Sequence, residues 1–453
     1  MAIVGAGAVG CAAARDLSLR GARCVLIEAA ADVGAGTSKA NTAILHTGFD
    51  AKPGTTESGL VARGYELLSK YAAEVGIPTA RLGALMIAWN REQQGALAGV
   101  ASAARENGYK DARPVEREEL YAREPNIGPG AEGALEIPGE GIVCPFTTTL
   151  AYATEALGAG CELALNAAVT GVRAIGDLHE IDTERGPVRA RYLVNAAGLR
   201  SDEINNMLGH TEFQVTPRRG ELIVFDKLAR GLINHVLLPV PTEKTKGVLV
   251  SPTIYGNVLL GPTADDVPDK TDRSTTEGGL ASLMEAGARI MPALERHEVT
   301  ATYVGLRAAT EHRDYQLTAH ADQRYVCAGG IRSTGITGSL AIAEWVREAL
   351  ADAGLDLSDA PQRAGLRMPN IGEFGTRPFQ EHDRIAADPE YGRIVCFCER
   401  VTRGEIRDAL GGPIPPADGD GLRRRTRALM GRCQGFFCGA EVAGMMEVDD
   451  GDR

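Results

Sequence analysis

The sequence predicts an α/β fold interrupted by a mostly antiparallel α+β domain and followed by a small helical C-terminal domain. Three observations predict it. A short strand, a G-x-G-x-x-G turn and a helix open the chain; short, proline-punctuated strands fill its middle; two cysteine pairs follow a Pro/Gly-rich connector. At 453 residues there is room for two or three domains around a large core. The 48 Lys and Arg against 60 Asp and Glu leave a net charge of −12, which argues against nucleic acid as a partner. No stretch approaches the roughly 18 apolar residues of a membrane span. The apolar run at 2–14 has no basic residues ahead of it, so it does not read as a secretory signal. A reduced cytoplasmic setting is expected, with any membrane association peripheral and through a partner.

The first element is Ala2-Ile3-Val4, leading into Gly5-Ala6-Gly7-Ala8-Val9-Gly10 and a helix with Val9, Ala12, Ala13 and Leu17 on one face. A second strand, Cys24-Val25-Leu26-Ile27, ends at Glu28, 23 residues after Gly5. This order is a Rossmann-like dinucleotide fingerprint. Gly5, Gly7 and Gly10 serve a tight turn, close approach to a pyrophosphate and close helix–strand packing, and Glu28 can accept from ribose hydroxyls. The opening strand reads short, as if a few residues had been trimmed from its start. The motif alone does not separate FAD from NAD.

Gly36-Thr37-Ser38-Lys39-Ala40-Asn41 and Ile44-Leu45-His46-Thr47-Gly48 follow the acidic strand. This layout resembles the FAD-dependent oxidoreductases of the D-amino-acid-oxidase/glycerol-3-phosphate-dehydrogenase superfamily. Residues 50–55, DAKPGT, narrow the resemblance to the branch holding glycerol-3-phosphate and L-2-hydroxyglutarate dehydrogenases. The resemblance spans residues 1–355 and implies FAD, with Thr37 and Ser38 beside its ribityl chain and ring. It also implies that Val169 meets the adenine and that Gly198 lies at its half of the cofactor. Gly330, Gly335 and Thr337 belong to a final glycine-rich turn over the flavin, before a helix at 340–350 whose N-terminus would favour negative charge there.

The resemblance places three residues in the chemistry of a small anionic substrate. His46 stands next to the flavin, where it could take a hydroxyl proton or serve only as a structural hydrogen-bonding group. Arg307, in YVGLR, matches the family's reader of a phosphate or carboxylate, and Arg332 could clamp the same anion; the bland reading of each is a surface ion pair. Arg219 and Lys52 are weaker candidates.

In the middle, short β-type runs at 213–215, 221–225, 247–250, 257–260, 300–305 and 315–318 suggest an inserted substrate domain. Helices are expected at 59–75 and 146–158. The expected division is an FAD-binding domain at 1–80, 140–212 and 320–355, a substrate domain at 81–139 and 213–319, a linker at 356–392, a cluster domain at 393–446 and a disordered acidic tail at 447–453.

Cys396 and Cys398 form C-x-C; after 34 residues, Cys433 and Cys438 form C-x4-C. Four thiolates can hold an iron–sulfur cluster or zinc. Residues 393–438 resemble the bacterioferritin-associated-ferredoxin-like domain, which implies a [2Fe-2S] cluster on these four cysteines. Cys11, Cys24, Cys144, Cys161 and Cys327 read as small buried hydrophobes. Thr402 and Glu405 form a capping box for a helix at 402–410. Arg423, Arg424, Arg425, Arg427 and Arg432 could offset the cluster's negative charge or form a solvated helix face.

The reading is an FAD-dependent dehydrogenase that oxidises sn-glycerol 3-phosphate to dihydroxyacetone phosphate. Electrons would pass through the cluster to an accepting subunit, carrier or quinone pathway. The rivals are an L-2-hydroxyglutarate (2-hydroxy acid) dehydrogenase and a non-catalytic electron-transfer subunit.

Overall fold

Short apolar runs at Ala2–Val4, Val25–Ile27 and Leu193–Asn195 are almost wholly buried, as expected of parallel strands covered on both faces. The computed structural model describes residues 1–241, 247–358 and 365–451; Pro361 of the connector lies outside them. The three runs lie within a six-stranded sheet of order Gln316–His320, Tyr325–Gly329, Leu193–Asn195, Ala2–Val4, Val25–Ile27, Glu162–Ala164. All neighbours are parallel except the first pair. Helix Ala8–Leu19 packs between helices Pro145–Gly158 and Gly335–Asp352 on one face, and Thr56–Val75 packs against Gly335–Asp352. The other face is covered by the three-stranded unit Val169–Ile175, Leu178–Thr183, Val188–Ala190 and by helix Ser201–Met207, through Val172, Ile181, Ile204 and Phe213.

Helix Thr56–Val75 shows why the local sequence folds this way. The Thr55 side chain accepts from the Ser58 amide at 3.2 Å, and Gly76 ends the helix at φ 80°. Such a cap contributes about 1 kcal/mol.

The inserted domain is a nine-stranded sheet. Its longest pairing joins Val215–Phe225 to Val299–Thr310, antiparallel along their length. Ala84–Ala88 sits between Gly133–Ile137 and Val236–Pro239, tying the early segment to the later one. Strand Gln316–His320 corrects the expected division, because a boundary between 319 and 320 would cut it. It belongs to the six-stranded sheet, and its short β-type run carried no signal of which sheet it would join.

A smaller sheet positions the chemistry. Ile44–Leu45 pairs antiparallel with Gly141–Val143, in the register Ile44↔Ile142 and Leu45↔Gly141, and Thr79–Ala80 flanks the latter strand.

At the C-terminal end, Ile394–Cys396 and Val401–Thr402 form a two-stranded ladder beside helices Arg403–Leu410, Gly419–Thr426 and Gly439–Gly451. Val395, Val401, Ile406, Leu410, Leu422 and Val442 make its core. The Thr402–Glu405 capping box is present. Of the tail expected to be disordered, residues 447–451 continue the last helix, which begins at Gly439, and 452–453 lie outside the described residues; the acidic composition concealed the continuation.

Candidate active site and cluster site

The nucleotide-binding residues converge at the C-terminal ends of the parallel strands, where open α/β sheets bind ligands. Gly7 stands at the N-cap of helix Ala8–Leu19 and has no side chain to cap it, and no acid occupies the first turn. The Ser38 hydroxyl accepts from the Ala8 amide at 2.9 Å. This donor-rich helix start suits a pyrophosphate. Glu28 follows strand Val25–Ile27, and its carboxylate accepts from the amides of Ala6 (2.7 Å) and Ala30 (2.8 Å). Its remaining lone pairs suit ribose hydroxyls. The Ala167 amide donates to the Glu28 carbonyl at 2.8 Å, bringing the strand that begins at Val169 to the same place. Gly198 begins the turn after Leu193–Asn195, next to Ala196, whose carbonyl oxygen lies against Gly5. The chain thus fits the adenosine and pyrophosphate parts of FAD.

Gly10 is fixed by packing: a Cβ there would lie 1.8 Å from the Gly5 carbonyl oxygen. Gly10→Ala is therefore expected to displace the phosphate turn, to destabilise the fold by about 1–3 kcal/mol and to yield largely FAD-free protein. The ratio of flavin to protein absorbance and the Tm check this.

Loop 37–48 is the common wall of the candidate active site. Thr37 donates its hydroxyl to the Leu306 carbonyl (2.8 Å), and Tyr303 donates to the Asn41 carbonyl (2.7 Å), fixing the loop to the strand that carries Arg307. At its other end the His46 amide donates to Thr337 Oγ1 (3.1 Å), inside the first turn of helix Gly335–Asp352. Gly335 is the first residue of that helix, five earlier than the apolar run suggested, and Gly330 follows strand Tyr325–Gly329 with φ 62°. His46 Nδ1 lies 3.1 Å from Oε2 of Glu140, a fully buried carboxylate. Glu140 and its partner Thr47 were not found in the sequence.

Arg307 is half-buried and donates to the Thr263 carbonyl at 2.6 Å. Among the described residues no carboxylate lies within ion-pair distance of it. Burial and the neighbouring Arg218 push its guanidinium down to about 10; Asp266 and Asp265 oppose this, and Arg332 adds to it. The group keeps its charge at neutral pH and is under-neutralised, which favours an anionic ligand. Arg332 is close enough to act on Arg307 electrostatically. It donates to the Arg313 carbonyl and lies 3.7 Å from Glu57, so it is held in the closing turn. Arg219 is occupied by Asp272 (3.3 Å) and Glu221 (3.7 Å), which is a structural role, and Lys52 is exposed.

The four C-terminal cysteines come together as two pairs, Cys396 with Cys438 and Cys398 with Cys433. Among the described residues, no three of these thiols lie within 4.8 Å of one another. A single tetrahedral zinc would need all four sulfurs about 3.8 Å apart, given Zn–S bonds of about 2.3 Å. Two such pairs suit a [2Fe-2S] cluster, whose four thiolate ligands these cysteines would supply. The close approach depends on Gly431, where a Cβ would lie 2.2 Å from Cys398 Cβ. Cys396 and Cys438 are buried and Cys398 and Cys433 partly exposed, with exposed Phe397, Phe436 and Phe437 around the outer pair. The other five cysteines are all buried.

Two arginines of the C-terminal stretch reach the nucleotide-binding domain. Arg425 makes two bonds to Asp32, each 2.7 Å, and Arg424 a third at 2.6 Å. Asp32 lies in the loop after strand Val25–Ile27, so these bonds clamp the cluster domain to the nucleotide-binding domain. Arg423 pairs with Asp420 (2.5 Å), Arg432 with Asp226 (2.6 Å) and Arg427 with Glu399 (3.2 Å). Lys39 reaches Asp420 at 2.7 Å, and Arg427 lies over the Tyr255 ring, which stacks on Phe146. A run of basic residues carries no information about its partners, so the clamp on Asp32 was not foreseen.

Comparison with known proteins agrees with this geometry. The family model described as "FAD dependent oxidoreductase" matches residues 1–349, and the "BFD-like [2Fe-2S] binding domain" matches residues 394–447. The chain is 34% identical to the glycerol 3-phosphate dehydrogenase of Caloramator mitchellensis, over 98% of this chain and 92% of that protein. It is 26% identical to one subunit of the anaerobic glycerol-3-phosphate dehydrogenase of Escherichia coli (strain K12), over 98% of this chain and 87% of the other. Its fold is similar to that of dithionite-reduced L-alpha-glycerophosphate oxidase from Mycoplasma pneumoniae with FAD bound. That similarity has a TM-score of 0.76 and 27% identity, and covers 82% of this chain and 98% of the other.

Proposed function

Because the chain belongs to the FAD-dependent oxidoreductase family and carries a BFD-like [2Fe-2S] binding domain, we propose that its substrate is sn-glycerol 3-phosphate and its product dihydroxyacetone phosphate. When bound, FAD takes up two electrons with the carbinol hydrogen, and the cluster carries electrons singly to an external acceptor. The chain's own residues bind, orient and deprotonate the substrate. Arg307 holds the phosphate, with Arg332 supporting the same field from the closing turn. His46 takes the hydroxyl proton, since an imidazole titrates in the range that general-base catalysis near neutral pH requires. Loop 37–48 keeps these groups in fixed relation, which is where positioning contributes most.

The observation that carries this reading is the under-neutralised Arg307, on the strand tied to the loop that bears His46. A phosphate reader and a carboxylate reader both use arginine. Full-length similarity to a glycerol 3-phosphate dehydrogenase favours the phosphate. No helix among the described residues is long and apolar enough to cross a membrane. That one relative is itself a subunit of a larger enzyme supports an acceptor on a separate chain.

An anaerobic substrate panel tests the assignment. The flavin absorbance of the FAD-loaded protein should bleach with sn-glycerol 3-phosphate and far more slowly with L-2-hydroxyglutarate. Faster bleaching by the hydroxy acid would transfer the assignment to that rival.

A further inference from the structure

Strand register brings His46 and Glu140 face to face. With Ile44 opposite Ile142 and Leu45 opposite Gly141, the next antiparallel partners are His46 and Glu140. The Glu140 carboxylate is 0% exposed. Its Oε1 accepts from the Thr47 amide (2.6 Å) and the Thr47 hydroxyl (2.9 Å), and its Oε2 faces His46 Nδ1 at 3.1 Å. The last contact is close without the alignment of an ideal hydrogen bond, as is common for catalytic pairs before substrate arrives.

The turn that presents Glu140 is braced on every side. Gly83 donates its amide to the Glu140 carbonyl (2.9 Å), and the Glu140 amide donates to the Ile137 carbonyl (3.2 Å). Tyr65 donates to the Gly139 carbonyl (2.7 Å), and the Gly139 amide donates to Tyr109 Oη (2.8 Å). A buried carboxylate is expensive unless hydrogen-bonded or paired. Thr47 satisfies one oxygen, and an N–H on His46 Nδ1 would satisfy the other.

We infer that Glu140 is a positioning residue for the reaction. It holds His46 in the Nδ1–H tautomer, so that the lone pair is on Nε2, and it stabilises the imidazolium once His46 has taken a proton. This rests on the reading of His46 as the base. In that step the substrate O–H breaks and its proton bonds to Nε2. The pair left on oxygen closes the carbonyl as the carbon-bound hydrogen departs with its own pair to the cofactor. Glu140 takes up no proton in this step.

The inference makes a specific claim about Glu140→Gln. The Thr47 amide can only donate, so the one amide oxygen of glutamine must face it. The glutamine NH2 then faces His46 Nδ1 and forces that nitrogen to accept. The ring proton moves to Nε2, where it blocks the base.

The test uses 15N-histidine-labelled, FAD-loaded protein, with His46→Asn assigning the His46 ring signals among the eight histidines. The native protein should show Nδ1–H and Glu140→Gln should show Nε2–H. In the variant, substrate-driven flavin reduction should slow by about 10²–10⁴-fold, with substrate affinity and flavin content little changed. Glu140→Asp should recover part of the rate, and should Glu140→Gln fail to fold, the native tautomer and Glu140→Asp decide. An Nε2–H tautomer in the native protein, or an unaltered rate in Glu140→Gln, overturns the inference. An unaltered rate in His46→Asn defeats the base reading itself, whereas loss there with none in Glu140→Gln defeats only the role of Glu140.

Discussion

Arg307→Ala is expected to abolish practical reduction of the flavin by substrate while leaving FAD bound. The Arg307 side chain bonds the Thr263 carbonyl rather than the glycine turn or Glu28, so cofactor content should be unaffected. Removing one partner of a hydrogen-bonded charge pair costs about 2–5 kcal/mol, which is roughly 30- to 5,000-fold in kcat/KM. The effect should be large because Arg307 would meet its anion already desolvated: burial and Arg218 push the guanidinium down, and Asp266 and Asp265 offset this only in part. A surface arginine with its own acid would behave differently; Arg219, paired with Asp272, is the internal contrast. Arg307→Lys should recover only part of the loss, since an ammonium lacks the planar fork. Anaerobic stopped-flow absorbance across substrate concentrations separates affinity from rate, and an unchanged kcat/KM removes Arg307 from the mechanism.

Asp32→Ala is expected to undo the clamp between the nucleotide-binding and cluster domains. Three bonds of 2.6–2.7 Å converge on this carboxylate from Arg424 and Arg425, and all three side chains are buried. Removing the acid leaves the buried Arg425 without a carboxylate among the described residues and Arg424 with Asp420 alone, and breaking a buried pair in this way destabilises by about 3–5 kcal/mol. Other ties include Lys39 to Asp420, Arg432 to Asp226, Lys227 to Glu399 and Arg427 over the Tyr255 ring; the three ion pairs have partly exposed cations and contribute less. The proposed active site is on loop 37–48 and the Val299–Thr310 strand, so bleaching of the flavin by substrate should proceed at its native rate. Reduction of the cluster should lag behind it, and amides of helix Gly419–Thr426 should exchange faster with solvent. Native-rate cluster reduction in this variant would show that the clamp is dispensable for electron delivery.

What the sequence revealed and what it concealed follow the range of the interactions. The glycine turn, Glu28 and the cysteine pairs are local patterns, each within a few residues or one supersecondary unit, so spacing alone exposed them. Thr402 and Glu405 were legible for the same reason. Glu140 was not, because its relation to His46 exists only through the pairing of Ile44–Leu45 with Gly141–Val143, strands far apart in the chain. Asp32 was hidden in the same way, since its partners lie at the opposite end of the molecule. Within the arginine stretch, the helix carrying Arg424 and Arg425 turns these two toward the other domain, a long-range contact that sequence proximity could not show. Strand Gln316–His320 was foreseen as a strand and assigned to the wrong sheet, because a period-2 pattern identifies a strand without naming its neighbours.

The central claim is that a carbinol oxidised at the His46–Arg307 site delivers electrons to the C-terminal cysteine pairs. Its most direct test is an electron paramagnetic resonance spectrum of the FAD- and iron-loaded protein, frozen after anaerobic addition of sn-glycerol 3-phosphate. The account predicts a bleached flavin together with the signal of a reduced [2Fe-2S] cluster, and loss of that signal in Cys398→Ser. A flavin that stays oxidised, or one that bleaches while a fully loaded cluster remains silent, would contradict it.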